Sequence, residues 1–276
     1  MMARLPRIPD LLTTANLACG MGSILLASQG QLTWACWLVF IGALFDVFDG
    51  LAARALGGGS PLGAQLDSLA DMVTFGVAPG MLLFCLPFLN SSSLLIDGGS
   101  FHMSDVHIAK EMRESGTLEL RPHHPLVWIA AILIPVCSAW RLAKFNLDTR
   151  QTSGFLGLPT PANALFWASY ALLASASLGS DSVAGSKELA IFLFFASNEP
   201  VVIFFLALTL SLLMLSELPL PSLKFKHFRW KGNEVIYLLL GIGAVLVVLY
   251  GMLAVPLILV VYLLSPLWGR MFPKVG

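Results

Sequence analysis

Four aspartates lie close together in an otherwise apolar part of the sequence, and their spacing indicates a cation-binding site. The stretch is DVFDGLAARALGGGSPLGAQLDSLAD, residues 46–71, which contains Asp46, Asp49, Asp67 and Asp71. Helical residues three or four positions apart share a face, so the first two carboxylates share one face and the last two share another. Four carboxylates at close quarters repel one another and cannot all ionise unaided, and divalent cations relieve that repulsion.

The residue types around the aspartates favour phosphoryl chemistry. Carboxylate oxygens suit Mg²⁺, Mn²⁺ or Ca²⁺, and the stretch contains no His or Cys that would favour zinc. Two such metals usually serve displacement at phosphorus, because they neutralise phosphate oxygens. The small residues Gly50, Ala53 and Gly63 would let a bulky ligand approach the helix backbones, and Arg54 offers a forked donor suited to phosphate.

Two other interpretations of the aspartates are weaker. If they were structural ion-pair partners, only Arg54, Arg141 and Lys144 would be available, and three cations for four anions leave charge uncompensated. If they formed the ion path of a transporter, acids near the membrane midplane would be expected, often in both halves of the chain. All four instead cluster in one helical hairpin, and the second half has no counterpart.

The composition indicates that this site belongs to a membrane protein. The chain of 276 residues is 57% hydrophobic and only 12% charged, whereas soluble domains carry about 25% charged residues. Its mean hydropathy is +0.81, and a formal net charge of +0 gives no reason to expect a nucleic-acid partner. Because about 20 apolar residues cross a bilayer core, we predict an all-α, polytopic integral membrane protein. The eight predicted spans are 11–29, 32–55, 64–88, 125–147, 160–178, 199–217, 234–252 and 254–271.

The placement of lysine and arginine predicts the orientation of these spans. With the N-terminus inside, the short cytoplasmic loops receive most of the basic residues, including Arg4, Arg7 and those of 218–233. Both termini are then cytoplasmic, and the aspartate site faces the cytoplasm from the inner membrane. The polar segment 89–122 becomes an outside loop, and 187–199, too short to span, is interpreted as an interfacial helix.

The aspartate stretch resembles the signature of the CDP-alcohol phosphotransferase family. Written as D-x2-D-G-x2-A-R-x8-G-x3-D-x3-D, it matches that signature at every fixed position. The resemblance covers residues 8–217 and implies a six-helix transmembrane catalytic core within 1–217. A basic cytoplasmic loop at 218–233 and a two-helix membrane extension at 234–276 would follow it.

The resemblance also implies a reaction and the residues that perform it. A phosphatidyl group would pass from a CDP-linked membrane lipid to an alcohol, with release of CMP. The four aspartates would bind two divalent cations, Mg²⁺ or Mn²⁺, with Ca²⁺ as an inhibitor or a crystallisation ion. Asp71 would also act as the general base on the acceptor hydroxyl, and the protein would be a homodimer. The residues that would lie against the CDP-lipid are Gly50, Ala53, Arg54, Gly63 and Asp67.

Segments outside the signature indicate the acceptor alcohol. TTANLACGMGS at 13–23, DSLADMVTFGVAPG at 67–80, RLAKFN at 141–146 and GFLGLPTPAN at 154–163 resemble those of CDP-diacylglycerol–serine O-phosphatidyltransferases. That branch of the family implies CDP-diacylglycerol and L-serine as substrates and phosphatidylserine as the product. The alternative acceptors, glycerol 3-phosphate and inositol or its phosphate, rank lower, because a phosphorylated acceptor would demand more basic residues than the sequence offers near the site.

Serine is a zwitterion, so its site needs groups for both of its charges. Arg141 or Lys144 would bind the carboxylate, and Asn16 and Asn146 would hold the ammonium group or the lipid phosphate. Lys144 stands where the serine-using branch commonly has arginine, and a lysine that merely extends toward the membrane surface is the alternative interpretation.

Overall fold

The computed structural model describes residues 7–56, 60–86, 125–147, 155–177, 200–220, 234–251 and 254–269. These stretches are helical apart from turns and one pair of two-residue strands, which confirms the predicted all-α class. The elements, in chain order, are α1 (Ile8–Ser28), α2 (Leu32–Ala55), α3 (Pro61–Asp71), a π-helical turn (Met72–Val77), α4 (Ala78–Phe84), α5 (Pro125–Leu147), β1 (Phe155–Leu156), α6 (Thr160–Ser177), α7 (Pro200–Leu215), β2 (Pro219–Leu220), α8 (Glu234–Tyr250) and α9 (Ala254–Gly269).

The helices have the length and composition of an integral membrane protein. Within the part of the chain that the structure describes, four helical segments are long and apolar enough to cross a membrane: Ile8–Ser28, Leu32–Ala55, Pro61–Phe84 and Pro125–Leu147. Many of their large apolar side chains are exposed, as expected for helices that face lipid. Every predicted span coincides with a helical segment, and the second and fourth have the predicted bounds. The predicted outside loop 89–122, the interfacial helix 187–199 and most of the loop 218–233 lie outside the described residues.

α1 and α2 form a tight hairpin that buries a face of small and polar residues. The turn between them contains Gly30, whose φ of 74° is a left-handed conformation that favours glycine. Small residues let membrane helices approach closely, and polar side chains bond across the interface. The buried residues of α1 recur every three or four positions and are Thr13, Asn16, Gly20, Ser23 and Ala27.

Three helical segments cross closely at Thr74. A Cβ added to Gly20 of α1 would lie 2.8 Å from the Cα of Thr74, and one added to Gly42 of α2 would lie 2.7 Å from its Cγ2. The Thr74 hydroxyl donates a hydrogen bond of 2.9 Å to the carbonyl of Asn16. Only glycine fits at the two crossing points, so α1 and α2 are held against the π-helical turn just beyond Asp71.

The helix that carries the second pair of aspartates widens immediately after Asp71. In the π-helical turn the N–H of Ala78 bonds to the carbonyl of Val73, five residues earlier. Pro79 accounts for the widening, because proline lacks an N–H and its ring displaces the carbonyl four residues before it. A π-helical turn accommodates such a mismatch, and these turns occur often at functional sites.

The later helices pack around α6 and along one another. α5 packs along α7, while α6 is buried by α2, α4 and α9. β1 pairs with β2 in antiparallel register, Phe155 opposite Leu220. Gly157 follows β1 with a φ of 73°, and a Cβ there would lie 2.8 Å from the carbonyl oxygen of Met214. The start of α6 is thereby fixed against the end of α7.

Candidate active site

Three of the predicted aspartates meet between α2 and α3. One carboxylate oxygen from each of Asp46, Asp49 and Asp67 lies within 4.8 Å of the other two. Asp49 is only 5% exposed, and the other two are half-buried. The helical spacing within the first pair and the hairpin between the helices therefore produce one compact acidic cluster.

Asp71 joins this cluster from the side, one helical turn beyond Asp67. Its carboxyl group lies within hydrogen-bond reach of that of Asp46, and Asn16 Nδ2 donates a bond of 3.2 Å to its Oδ1. Two carboxyl groups this close need a shared proton or a cation between them. Asp71 is thus held in place by α1 while it remains part of the acidic centre.

Thr13 is a site residue that the sequence analysis missed. Its hydroxyl donates a hydrogen bond of 2.7 Å to Oδ2 of Asp49, and both groups are buried. The available signal was the spacing of Thr13 and Asn16, three residues apart on an apolar helix, which places both on one face. α1 therefore supports one aspartate of each pair.

The residues present fit a divalent cation. Oδ1 of Asp67 is buried without a hydrogen-bond partner among the described residues, and so is Oδ1 of Asn16. A buried oxygen that lacks a partner is costly, especially on a carboxylate. Converging oxygen ligands of this kind suit Mg²⁺ or Mn²⁺, so we assign the capacity to bind metal to Asp46, Asp49 and Asp67.

The small residues around the cluster have different surroundings. A Cβ added to Gly50 would meet no atom within 4 Å, whereas one added to Gly63 would lie 2.8 Å from Oδ1 of Asp10. Gly50 thus leaves open space beside the acidic cluster, while Gly63 permits close packing at the start of α3. Ala53 is half-buried, and Arg54 is exposed in the last turn of α2.

The four residues predicted to bind serine or the lipid phosphate differ in their surroundings. Arg141 is buried and interacts electrostatically with Asp71, and Asn16 bonds to the same aspartate. Lys144 is exposed one turn further along α5. Asn146 is also exposed, and its Nδ2 donates a hydrogen bond of 2.9 Å to the hydroxyl of Ser68. Arg141 and Asn16 are therefore at the acidic centre, while Asn146 connects α5 to the residue after Asp67.

The part of the chain that contains the acidic centre matches a known protein family. A sequence profile described as CDP-alcohol phosphatidyltransferase matches residues 7–196. The chain belongs to the CDP-alcohol phosphatidyltransferase family. The matched region contains the four aspartates together with Thr13, Asn16 and Arg141. It ends before α7, α8 and α9.

Several relatives within the family carry names that refer to serine. A CDP-diacylglycerol–serine O-phosphatidyltransferase from Bacillus subtilis (strain 168) is 31% identical over 159 residues, covering 56% of this chain and 69% of the relative. One of the same name from Helicobacter pylori (strain ATCC 700392 / 26695) is 28% identical over 241 residues, or 87% and 81% of the two chains. An archaetidylserine synthase from Methanothermobacter thermautotrophicus (strain Delta H) is 32% identical over 167 residues, or 60% and 58%.

Proposed function

We propose that the protein transfers the phosphatidyl group of CDP-diacylglycerol to the hydroxyl of L-serine, giving phosphatidylserine and CMP. The observation that carries this proposal is the acidic centre formed by Asp46, Asp49, Asp67 and Asp71 within apolar helices. Membership of the CDP-alcohol phosphatidyltransferase family supports the reaction type. The names of the relatives from Bacillus subtilis and Helicobacter pylori support serine as the acceptor.

The four aspartates would hold two divalent cations, Mg²⁺ or Mn²⁺, which when bound neutralise charge on the pyrophosphate. In the reaction, Asp71 takes the proton of the serine hydroxyl, and the serine oxygen forms a bond to the phosphorus of the phosphatidyl group. The bond from that phosphorus to the CMP oxygen breaks, and CMP leaves with the electron pair. The hydrogen bond from Asn16 keeps the carboxyl group of Asp71 oriented for this proton transfer.

The remaining site residues would bind the two substrates. The CDP-lipid would lie over the open space at Gly50, beside Ala53, and the exposed guanidinium of Arg54 would meet its phosphates. Arg141 would bind the serine carboxylate, because it is a buried cation that interacts with Asp71. Lys144 is exposed and would attract the serine carboxylate from a longer distance.

The eight-span arrangement with both termini in the cytoplasm is part of this proposal. It places the acidic centre at the cytoplasmic surface of the inner membrane, where serine and CMP are soluble. A reporter that is active only in the cytoplasm, fused after residue 276, should be active, and a fusion within 89–122 should be silent. We also propose that the protein is a homodimer. Light scattering of the detergent-solubilised protein should then give twice the mass of one chain.

The decisive experiment is CMP release by the purified protein with different acceptors. With CDP-diacylglycerol and Mn²⁺ or Mg²⁺, L-serine should support turnover, and glycerol 3-phosphate, inositol or its phosphate should not. Release with one of those acceptors alone would reject serine and leave the family reaction intact. The Asp71→Asn variant should lose turnover while it keeps its elution volume and melting temperature, and an active Asp71→Asn variant would reject the proposed base.

A further inference from the structure

α5 lies closely against α4 and the π-helical turn at two levels. A Cβ added to Gly80 of α4 would lie 2.6 Å from the carbonyl oxygen of Ala131, whose helical N–H partner is absent at Pro135. A Cβ added to Gly76 in the π-helical turn would lie 3.2 Å from the Cβ of Ser138. These close contacts leave no room for a substrate between the helices at either level.

A third contact joins α5 to α3 at the end of the bundle where α3 begins and α5 ends. Asn146 Nδ2 donates a hydrogen bond of 2.9 Å to Ser68 Oγ, and Asn146 Oδ1 lies 3.3 Å from the same oxygen. The Ser68 hydroxyl can donate in turn to the carbonyl of Ala64, at 3.2 Å. Asn146 is exposed, and contacts between α5 and α3 are otherwise sparse among the described residues. We call this pair the Ser68–Asn146 bridge.

The bridge and the contact at Gly76 enclose an interval of equal length on both helices. The interval extends over eight residues from Ser68 to Gly76, and over eight residues from Asn146 back to Ser138. At 1.5 Å per residue, each interval is about 12 Å long. The two helices therefore run side by side between a bridged end and a closely packed end.

Asp71 and Arg141 lie within this interval. Asp71 is three residues from Ser68, and Arg141 is three residues from Ser138, and helical residues at this spacing share a face. Arg141 is only 8% exposed, and its Nε has no hydrogen-bond partner among the described residues. The proposed base and the proposed ligand of the serine carboxylate thus face the space between α3 and α5. A solute that enters this space from the end of α5 passes the Ser68–Asn146 bridge first.

We propose that the Ser68–Asn146 bridge closes the acceptor site and thereby favours serine over water as the group that receives the phosphatidyl group. This proposal rests on the proposed serine transfer and gives a role in acceptor selection to two residues outside the acidic centre. Closing a site over its substrates excludes water and prevents hydrolysis of a reactive bond. Ser68 and Asn146 touch no reacting atom; they act by keeping α3 and α5 together at the entrance.

The competing reaction is the hydrolysis of CDP-diacylglycerol. A water oxygen forms a bond to the phosphorus of the phosphatidyl group, its proton passes to Asp71, and the bond from phosphorus to the CMP oxygen breaks. The products are phosphatidic acid and CMP, so CMP release without an acceptor measures this hydrolysis. An open bridge admits water to the base and also lets bound serine leave before it reacts. Loss of the bridge should therefore raise the rate of hydrolysis and lower the kcat/KM for serine.

The test compares Ser68→Ala with the wild-type full-length protein in the presence of CDP-diacylglycerol and Mn²⁺. Ser68→Ala should raise CMP release without an acceptor about twofold to tenfold, and lower the kcat/KM for L-serine by a similar factor, as expected for one hydrogen bond between neutral groups. Ser68→Thr keeps the hydroxyl and should behave like the wild type. Ser28→Ala is the matched control, because Ser28 is exposed on α1 and bonds to the carbonyl of Leu25. It should change neither rate.

A second set of variants tests whether Ser68 and Asn146 act as a pair. Asn146→Ala should have the same two effects as Ser68→Ala, and the double variant should show no further change. If Asn146 instead bound a substrate directly, its replacement would raise the KM for that substrate even in the Ser68→Ala background, which would overturn the proposal.

Two further results would also overturn it. A parallel fall of hydrolysis and serine transfer in Ser68→Ala would indicate general damage to α3, and an unchanged rate of hydrolysis would show that the bridge excludes no water. A wild-type protein that released no CMP with serine would reject the proposed function before any variant is compared. The comparison of CMP release without an acceptor would still test the bridge in that case.

Discussion

Replacing Thr13 by valine tests whether α1 supports the acidic centre. Valine keeps the shape of threonine and removes only the hydroxyl that donates 2.7 Å to Asp49. Both residues are buried, so water does not easily replace the lost donor. A hydrogen bond to a charged group contributes about 1.5–3 kcal/mol, and about 1.4 kcal/mol corresponds to a factor of ten. We therefore expect metal activation to weaken by about 10- to 100-fold, the usual effect of removing a group that orients a metal ligand.

The assay is CMP release as a function of Mn²⁺ concentration, with saturating CDP-diacylglycerol and serine. Thr14→Val is the matched control, because Thr14 is the adjacent residue of the same helix, is exposed, and bonds through its hydroxyl to the backbone carbonyl of Asp10. It imposes the same β-branched replacement without touching the acidic centre. Thr13→Ser retains the hydroxyl and should recover most of the wild-type metal dependence.

Two results would refute this reasoning. An unchanged Mn²⁺ midpoint in a folded Thr13→Val protein would show that the hydroxyl does not orient Asp49, or that Asp49 does not bind metal. A loss of equal size in Thr14→Val would show that valine disturbs α1 itself, whatever the role of the acidic centre.

Three further predictions concern packing, metal and acceptor binding. Gly20→Ala should lower the free energy of unfolding by about 1–3 kcal/mol, because its Cβ would collide with the Thr74 backbone. Gly50→Ala, whose Cβ meets open space inside α2, should keep or slightly raise the melting temperature. Chelation of the metal with EDTA should lower the melting temperature of the wild type. Where Mn²⁺ had been at 100 times its Kd, the free energy of unfolding falls by about 2.7 kcal/mol. The same treatment should have little effect on the melting temperature of Asp67→Asn. Arg141→Ala should raise the KM for serine far more than Lys144→Ala does, in CMP-release titrations, because Arg141 is buried and Lys144 is exposed.

The acidic cluster was predictable from sequence because its geometry is mostly local. Asp46 and Asp49 share a helix face through their spacing, and the short glycine-rich connection brings Asp67 on the next helix close to them. The helix bounds were predictable for a related reason, since long apolar runs bounded by polar segments determine where a membrane helix starts and stops.

The supporting contacts were not predictable, because they join residues that are distant in sequence. The partner of Thr13 is 36 residues away, and that of Asn16 is 55 residues away. The sequence likewise placed Arg141 and Lys144 on one helix as candidates for the serine carboxylate, and only the packing around α5 separates a buried guanidinium from an exposed ammonium group.

The residues that hold the helices together are also the residues that orient the carboxylates. In lipid, apolar side chains provide no strong preference for one helix partner over another, so close packing of small residues and hydrogen bonds between helices determine the arrangement. Here two of those bonds come from Thr13 and Asn16, and each of the two ends on an aspartate of the acidic centre. Stability and metal binding should therefore be coupled at both positions. A substitution that weakens one hydrogen bond should loosen α1 in the apo protein, and bound metal should restore part of that stability by replacing the lost partner of the carboxylate.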